Sequence, residues 1–157
     1  MERTTKDYEQ WSIQLQQLNN KKKTPNVELG EVRRYYVGIN VGNEISKGYN
    51  EEKGLKGSFK RTGIVLHELS NRLVVIAPIT TKQSRFSRKH GIKLKDYVCD
   101  AWVLPDQVHL ADKRRLQNAV FDKNEKKEVK YGINFVKKLL EINRSILSFK
   151  KKSTHTN

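Results

Sequence analysis

The sequence predicts a mainly β domain with α elements, built as a small, strongly curved sheet or barrel with a helix at either end. Short β-prone runs bounded by Gly, Asn and charge recur between residues 31 and 110. Apolar residues at helical spacing flank them on both sides. A chain of 157 residues suits one core with an appended element better than two catalytic domains.

Residues 5–20 read as an amphipathic helix, with Tyr8, Trp11, Leu15 and Leu18 along one face and Thr4 or Thr5 as its cap. Lys21, Lys22 and Lys23 suit its C-terminal end, and Thr24-Pro25-Asn26 supplies a linker, so residues 1–29 form an appendage. Covering part of the domain and docking a partner are both open roles for it. The strands follow at 32–39, 62–67, 72–79, 97–104 and 108–110. Leu73-Val74-Val75-Ile76-Ala77 is apolar on both faces and belongs to a central strand. Between the first two strands, residues 40–60 make a connection with Gly42, Gly48, Gly54 and Gly57, long enough to be functional or disordered. After Leu116 a helical pattern returns, with Val129, Ile133, Val136, Leu140, Asn143 and Leu147 on one face, Leu139 and Ile146 widening it, and Gly132 interrupting its first half. Asn143 in that stripe faces solvent, satisfies a buried group or lies near a dimer axis; the pattern does not choose. The domain therefore spans 30–149, and 150–157 is a frayed basic tail.

Thirty-two Lys and Arg against 17 Asp and Glu give a net charge of +15, a field that attracts polyanions. Nucleic acid, an acidic membrane face and an acidic protein all fit such a field. The membrane face is the weakest of these, because no helix pairs a strongly apolar face with a basic one except where a core would use it. No apolar run approaches a membrane span. The charged start without an apolar signal core, and the single Cys99, predict a cytoplasmic, reducing location.

Metal chemistry finds little support, since His67, His90, His109, His155 and Cys99 show no ligand spacing. The glycines lack a phosphate-loop or dinucleotide pattern, and no serine sits in a nucleophile elbow. Neither metal nor cofactor is expected. What remains is phosphodiester chemistry without a metal, which RNA permits because its own 2′-hydroxyl attacks the adjacent phosphorus. A protein then need only position the phosphate, move protons and stabilise negative charge. Arg61 at the start of one strand, and Thr80 and Thr81 at the end of the most apolar one, are donors of the right kind. By composition alone, an Arg and two Thr at strand ends are more often structural.

Four segments in order resemble the MazF/PemK family of toxin endoribonucleases. They are Tyr36-Val37-Gly38-Ile39-Asn40-Val41-Gly42-Asn43-Glu44, Phe59-Lys60-Arg61-Thr62-Gly63-Ile64-Val65-Leu66, Ala77-Pro78-Ile79-Thr80-Thr81-Lys82, and 104–116 with Gln107 and the corner Asp112-Lys113-Arg114-Arg115-Leu116. The resemblance spans roughly residues 30–149. It implies an SH3-like barrel of the CcdB/MazF kind, a homodimer, and metal-independent, sequence-specific cleavage of single-stranded RNA giving 2′,3′-cyclic phosphate and 5′-hydroxyl ends. It further implies a type II toxin restrained by an acidic cognate antitoxin. By position, Arg61 matches the family's catalytic arginine and Thr80 its catalytic hydroxyl. Phe59, Lys60, Thr81, Lys82, Gln83, Arg85, Gln107 and His109 fall where substrate would be held, and residues 40–60 match the loop that helps choose the RNA sequence.

Two positions depart from the pattern. Thr62 stands where the family usually has Pro, which frees a backbone N–H without touching the guanidinium. His109 replaces an arginine two residues after the glutamine, exchanging a permanent charge for a group titrating near neutrality. It is read either as a hydrogen-bonded structural histidine or as a general acid or base. Residues 82–95 hold six Lys or Arg and no acid, with Phe86 among them. That run is a solvated basic loop or a single-strand contact through Lys82, Arg85, Arg88 and Lys89. The same fold without catalysis would be a nucleic-acid-binding module, and a CcdB-like topoisomerase poison is the other rival.

Overall fold

The apolar run 73–77 lies at the centre of the sheet, with Val74 and Ile76 buried on one face and Ala77 on the other, while Leu73 at its start is exposed. In the computed structural model, residues 4–37, 59–95, 97, 99–122 and 126–152 are described, apart from the side chains at 85, 86, 88 and 149–152. The chain is mixed α and β, with an antiparallel seven-stranded sheet and two long helices. Strands β1 (Val32–Tyr36), β2 (Lys60–Glu68) and β3 (Leu73–Thr80) form its centre. β2 pairs with β1 through Arg34↔Thr62 and with β3 through Thr62↔Ile79. Side chains alternate across a strand, so this register sends two apolar sets to opposite faces. Val32, Ile64, Leu66, Ala77 and Ile79 share one core, and Tyr35, Val65, Val74 and Ile76 share the other.

Helix α1 (Thr5–Asn19) is capped by Thr4, whose hydroxyl accepts from the Asp7 N–H while the Asp7 carboxylate accepts from the Thr4 N–H. It lies on the molecule through Leu18 and Trp11, which cluster with Tyr36 and Phe59. Tyr8, expected on the same face, is exposed. The lysines expected to close the helix electrostatically do something else: Lys21 Nζ reaches 3.1 Å to the Arg114 carbonyl and ties the helix end to the far corner of the sheet.

Beyond β3 come the short helix α2 (Arg85–His90), capped by Ser84, and strands β4 (Ile92–Lys93) and β5 (Trp102–Val103). A hydrogen-bonded cap thus stands where a basic loop was one expectation. The strand expected over 97–104 is confined to β5, which pairs with β4 and with the end of β3. Strand β6 (His109–Asp112) runs beside the first half of β3, and β7 (Leu116–Ala119) runs beside β1. Only the 3₁₀ turn Lys113–Arg115 separates these two strands.

The helix expected after Leu116 begins at Ile133. Residues 116–119 are extended against β1, which also takes up backbone groups further along, as in Val120 N–H to Val32 O (2.7 Å) and Val32 N–H to Val129 O (3.0 Å). Strands β8 (Phe121–Asp122) and β9 (Lys127–Glu128) pair with each other there. Helix α3 (Ile133–Lys152) absorbs 150–152 of the expected tail; 153–157 lie outside the described residues. Gly132 opens the helix, its carbonyl accepting from the Phe135 and Val136 N–H groups. Val136 and Leu139 are buried, whereas Ile133, Leu140 and Leu147 are exposed, so the seated face is rotated from the expected one.

Gly30 joins the two ends of this arrangement. Its N–H donates to Val65 O (2.8 Å), its carbonyl accepts from Tyr131 N–H (2.9 Å), and its φ is +83°. A Cβ placed there would stand 1.9 Å from the Tyr131 carbonyl oxygen. Gly30→Ala is expected to destabilise the protein by at least the ~1–2 kcal/mol of a left-handed backbone, with the clash added to it. Urea denaturation measures the difference, and an unchanged midpoint would contradict this placement.

Candidate active site

Arg61, Thr80 and the pair Gln107 and His109 come from three separate segments, and the fold brings them together. Continuing the β2–β3 register one step past Thr62↔Ile79 sets Arg61 opposite Thr80, on the face that further along holds Val65 and Ile76. On the other side Arg61 is paired with Tyr35 of β1. The 3₁₀ turn Pro105–Gln107 then brings Gln107 over the strand end, where its Oε1 accepts from Arg61 Nη2 at 3.2 Å. This bond spans 46 positions of sequence and aims one edge of the guanidinium fork.

His109 follows directly. Its Nδ1 lies 2.8 Å from the Gln107 carbonyl, and its ring is 5.7 Å from that of Tyr35. A carbonyl only accepts, so Nδ1 is the donor in this bond. The hydrogen bond that one reading of His109 called for is present. The Thr80 hydroxyl accepts from the Lys82 N–H at 3.2 Å, which leaves its own proton to donate elsewhere. Thr81, Lys82 and Gln83 are exposed beyond it, in a turn held by the Ser87 hydroxyl donating to the Lys82 carbonyl at 2.9 Å. Thr62 lies inside both ladders of the central strand, where Pro would delete a backbone donor.

Phe59 is a correction. Its ring is fully buried, meets Trp11 edge-on at 5.4 Å and offers no surface to a substrate. Burial of a large apolar ring beneath α1 outweighs its position beside the arginine. Lys60 stays partly exposed, its ammonium 4.9 Å from the Tyr36 ring centre. The Arg85 and Arg88 side chains, and the loop expected at 40–60 up to residue 58, lie outside the described residues. Among the described residues, no three or more His, Cys, Asp or Glu side chains gather as a metal site.

Several supports escaped sequence reasoning. Asn143 of α3 donates from Nδ2 to the Pro105 carbonyl at 2.7 Å, steadying the turn that carries Gln107. A polar residue in an apolar stripe was the only signal. Arg115 links the site to α1: its Nη1 donates to Val37 O (3.4 Å), and its guanidinium lies 5.7 Å from the Trp11 ring centre. Beside it Arg114 grips Asp112 at 2.6 Å, and that hydrogen bond holds the Asp112 carboxyl below the usual carboxylate range. A groove of about 200 Å³ runs from His109 and Tyr35 to Arg115. A second, of about 250 Å³, continues from Arg115 and Leu110 to Leu15 and Asn19 of α1.

No protein-family model matches this chain, and no curated protein matches it either. Among the described residues, no helix is long and apolar enough to cross a membrane.

The Asn143 contact is testable through stability. Asn143→Leu leaves the Pro105 carbonyl without its donor and is expected to lower stability by about 1–3 kcal/mol. Asn143→Asp is expected to fail similarly, because a carboxylate has no hydrogen to give. Wild-type denaturation midpoints in both variants would show that the bond contributes nothing.

Proposed function

We propose that this protein is a metal-independent endoribonuclease on an SH3-like barrel, the toxin of a type II toxin–antitoxin pair of the MazF/PemK kind. The carrying observation is the contact of Arg61 with Gln107 beside Thr80, because it unites residues from three of the four resembling segments at one strand end. The pairing of β6 with β3 and of β7 with β1 across a three-residue turn supports the barrel, since it takes one strand pair from edge to edge of the central meander. In this reading the protein acts in the cytoplasm as a homodimer, its substrate is single-stranded RNA, and an acidic antitoxin restrains it.

The chemistry follows from the groups. Arg61 donates to the non-bridging oxygens of the scissile phosphate, with its fork oriented by Gln107 and its charge independent of pH. Thr80 adds a neutral donor to the same oxygens. The ribose 2′-hydroxyl loses its proton as O2′ bonds to phosphorus, and the P–O5′ bond breaks as O5′ takes a proton. His109 Nε2 serves one of these two transfers. The exposed residues Lys82 and Lys89 draw the strand in by its phosphates.

Arg61→Ala is expected to lower the cleavage rate by about 10²–10³-fold, the usual loss for one oxyanion donor, while circular dichroism stays that of the wild type. Thr80→Ala is expected to act in the same direction and more weakly. A folded Arg61→Ala protein that cut RNA at the wild-type rate would refute the assignment.

Replacing the ribose 5′ of the scissile bond by deoxyribose should stop cleavage and preserve binding, in excess chelator as well as with magnesium. Cutting of the deoxy substrate, or activity that chelator removes and magnesium restores, would sink the 2′-hydroxyl mechanism. A binding module or a topoisomerase poison would leave both RNAs whole.

A further inference from the structure

The two grooves that meet at Arg115 form one track. It begins at the Arg61–Gln107 pair, passes His109, crosses exposed Leu110 and Arg115, and ends against Leu15 and Asn19 of α1. Each step is a shared residue or a bond: Gln107 joins Arg61 to His109, and Leu110 and Arg115 line both grooves. We propose that this track is a second RNA subsite walled by α1, so that the N-terminal helix extends the bound strand beyond the scissile phosphate. The proposal rests on the endoribonuclease reading of the Arg61 centre.

Charge and surface chemistry select a nucleic-acid strand as the occupant. Asp112 is the acid of the track, and Arg114 already neutralises it. Arg115 makes no ion pair within 4 Å among the described residues; the Val37 carbonyl and the Trp11 face hold it, and Asp112 attracts it at longer range. A guanidinium so placed keeps N–H groups for a phosphate, and its plane is a stacking surface for an unpaired base. Leu110, 58% exposed at the centre of the track, supplies apolar surface for a base. Lys21 lies at the far end, with its amine tied to the Arg114 carbonyl. The helix keeps its position through Trp11 and Leu18 on Phe59 and Tyr36, so the wall is part of the packed structure. The buried ring of Phe59 thus has an indirect role, seating the helix next to the strand end that bears Arg61.

The test uses the full chain and two RNAs, each blocked by one deoxyribose at the mapped cleavage position. The short RNA covers the cleaved step; the long one extends several nucleotides on both sides. Fluorescence anisotropy should show the wild type binding the long RNA about tenfold more tightly. In Leu110→Glu and Arg115→Gln that advantage is expected to fall below about twofold. For Arg115→Gln the log–log salt slope for the long RNA should shrink in magnitude by about 0.7, one lost single-strand phosphate contact. Because Arg115→Gln also alters the Trp11 contact, tryptophan fluorescence reports whether α1 stays seated. If it does not, Leu110→Glu decides, since an exposed side chain leaves the packing intact.

Both variants binding the long RNA with wild-type affinity would overturn the subsite, and a groove that instead takes an acidic polypeptide gives that result. If this occurs while cleavage still depends on Arg61, the subsite alone is wrong. If RNA is neither bound nor cut by the wild type, the endoribonuclease reading fails and takes the subsite with it.

Discussion

The register between β2 and β3 constrains everything else in the molecule, because a strand slipped by one residue exchanges its two faces. With Thr62 opposite Ile79, the alternation sends Ile64, Leu66, Ala77 and Ile79 into one core and Val65 and Ile76 into the other. The same alternation places Arg61 and Thr80 at the strand ends on a common face. A slip would turn the residues of β2 to the opposite core and set Arg61 and Thr80 on different faces, so the apolar burial that stabilises the sheet also positions the polar groups. Gly63 contributes to this closeness: a Cβ there would stand 2.8 Å from the Ile76 side chain.

Around that pair the polar groups are held by backbone rather than by long side chains. Gln107 and His109 are positioned by a 3₁₀ turn whose Pro105 carbonyl is bound by Asn143, and Thr80 by the N–H of Lys82. In the endoribonuclease proposed above, donors held in this way would need little reorganisation as charge develops on the phosphate. Ion pairs in the same region are structural. Arg33 and Glu31 are both buried and fix the linker, and Lys113 is buried at the corner near α1 while its partner Glu68 is exposed. Removing Glu31 or Glu68 would leave a buried cation without its carboxylate.

The N-terminal helix shows how an appended element becomes part of the packed structure. It contributes Leu18 and half-buried Trp11 to a small cluster, and its C-terminal end is stitched to the β6–β7 corner by Lys21 and by Arg114, which donates to Asn19 O at 3.5 Å. The corner is stiffened in turn by Asp112, which accepts from both the Arg114 backbone and its guanidinium. Helix, corner and strand end therefore form a connected wall around the grooves at Arg115.

Periodicity and residue type alone placed strands over 32–39, 62–67 and 72–79, where the described residues form them over 32–36, 60–68 and 73–80, together with a first helix capped at Thr4 or Thr5 and a basic chain with an Arg and a Thr at strand ends. These are local properties, set by alternation, capping chemistry and composition. Where each apolar residue would turn was not local. Phe59 went under α1, residues 116–119 became a strand beside β1, and of the expected face of α3 Val136 and Leu139 are buried while Leu140 and Leu147 are exposed. In each case a partner distant in sequence supplied the burial or the backbone hydrogen bonds that local preference could not. The Arg61–Gln107 bond and the Asn143 tether belong to the same class. Only the folded chain brings a donor and an acceptor 46 or 38 residues apart to within hydrogen-bonding distance, because that distance is decided by the sheet register and helix docking, which no short stretch of sequence contains.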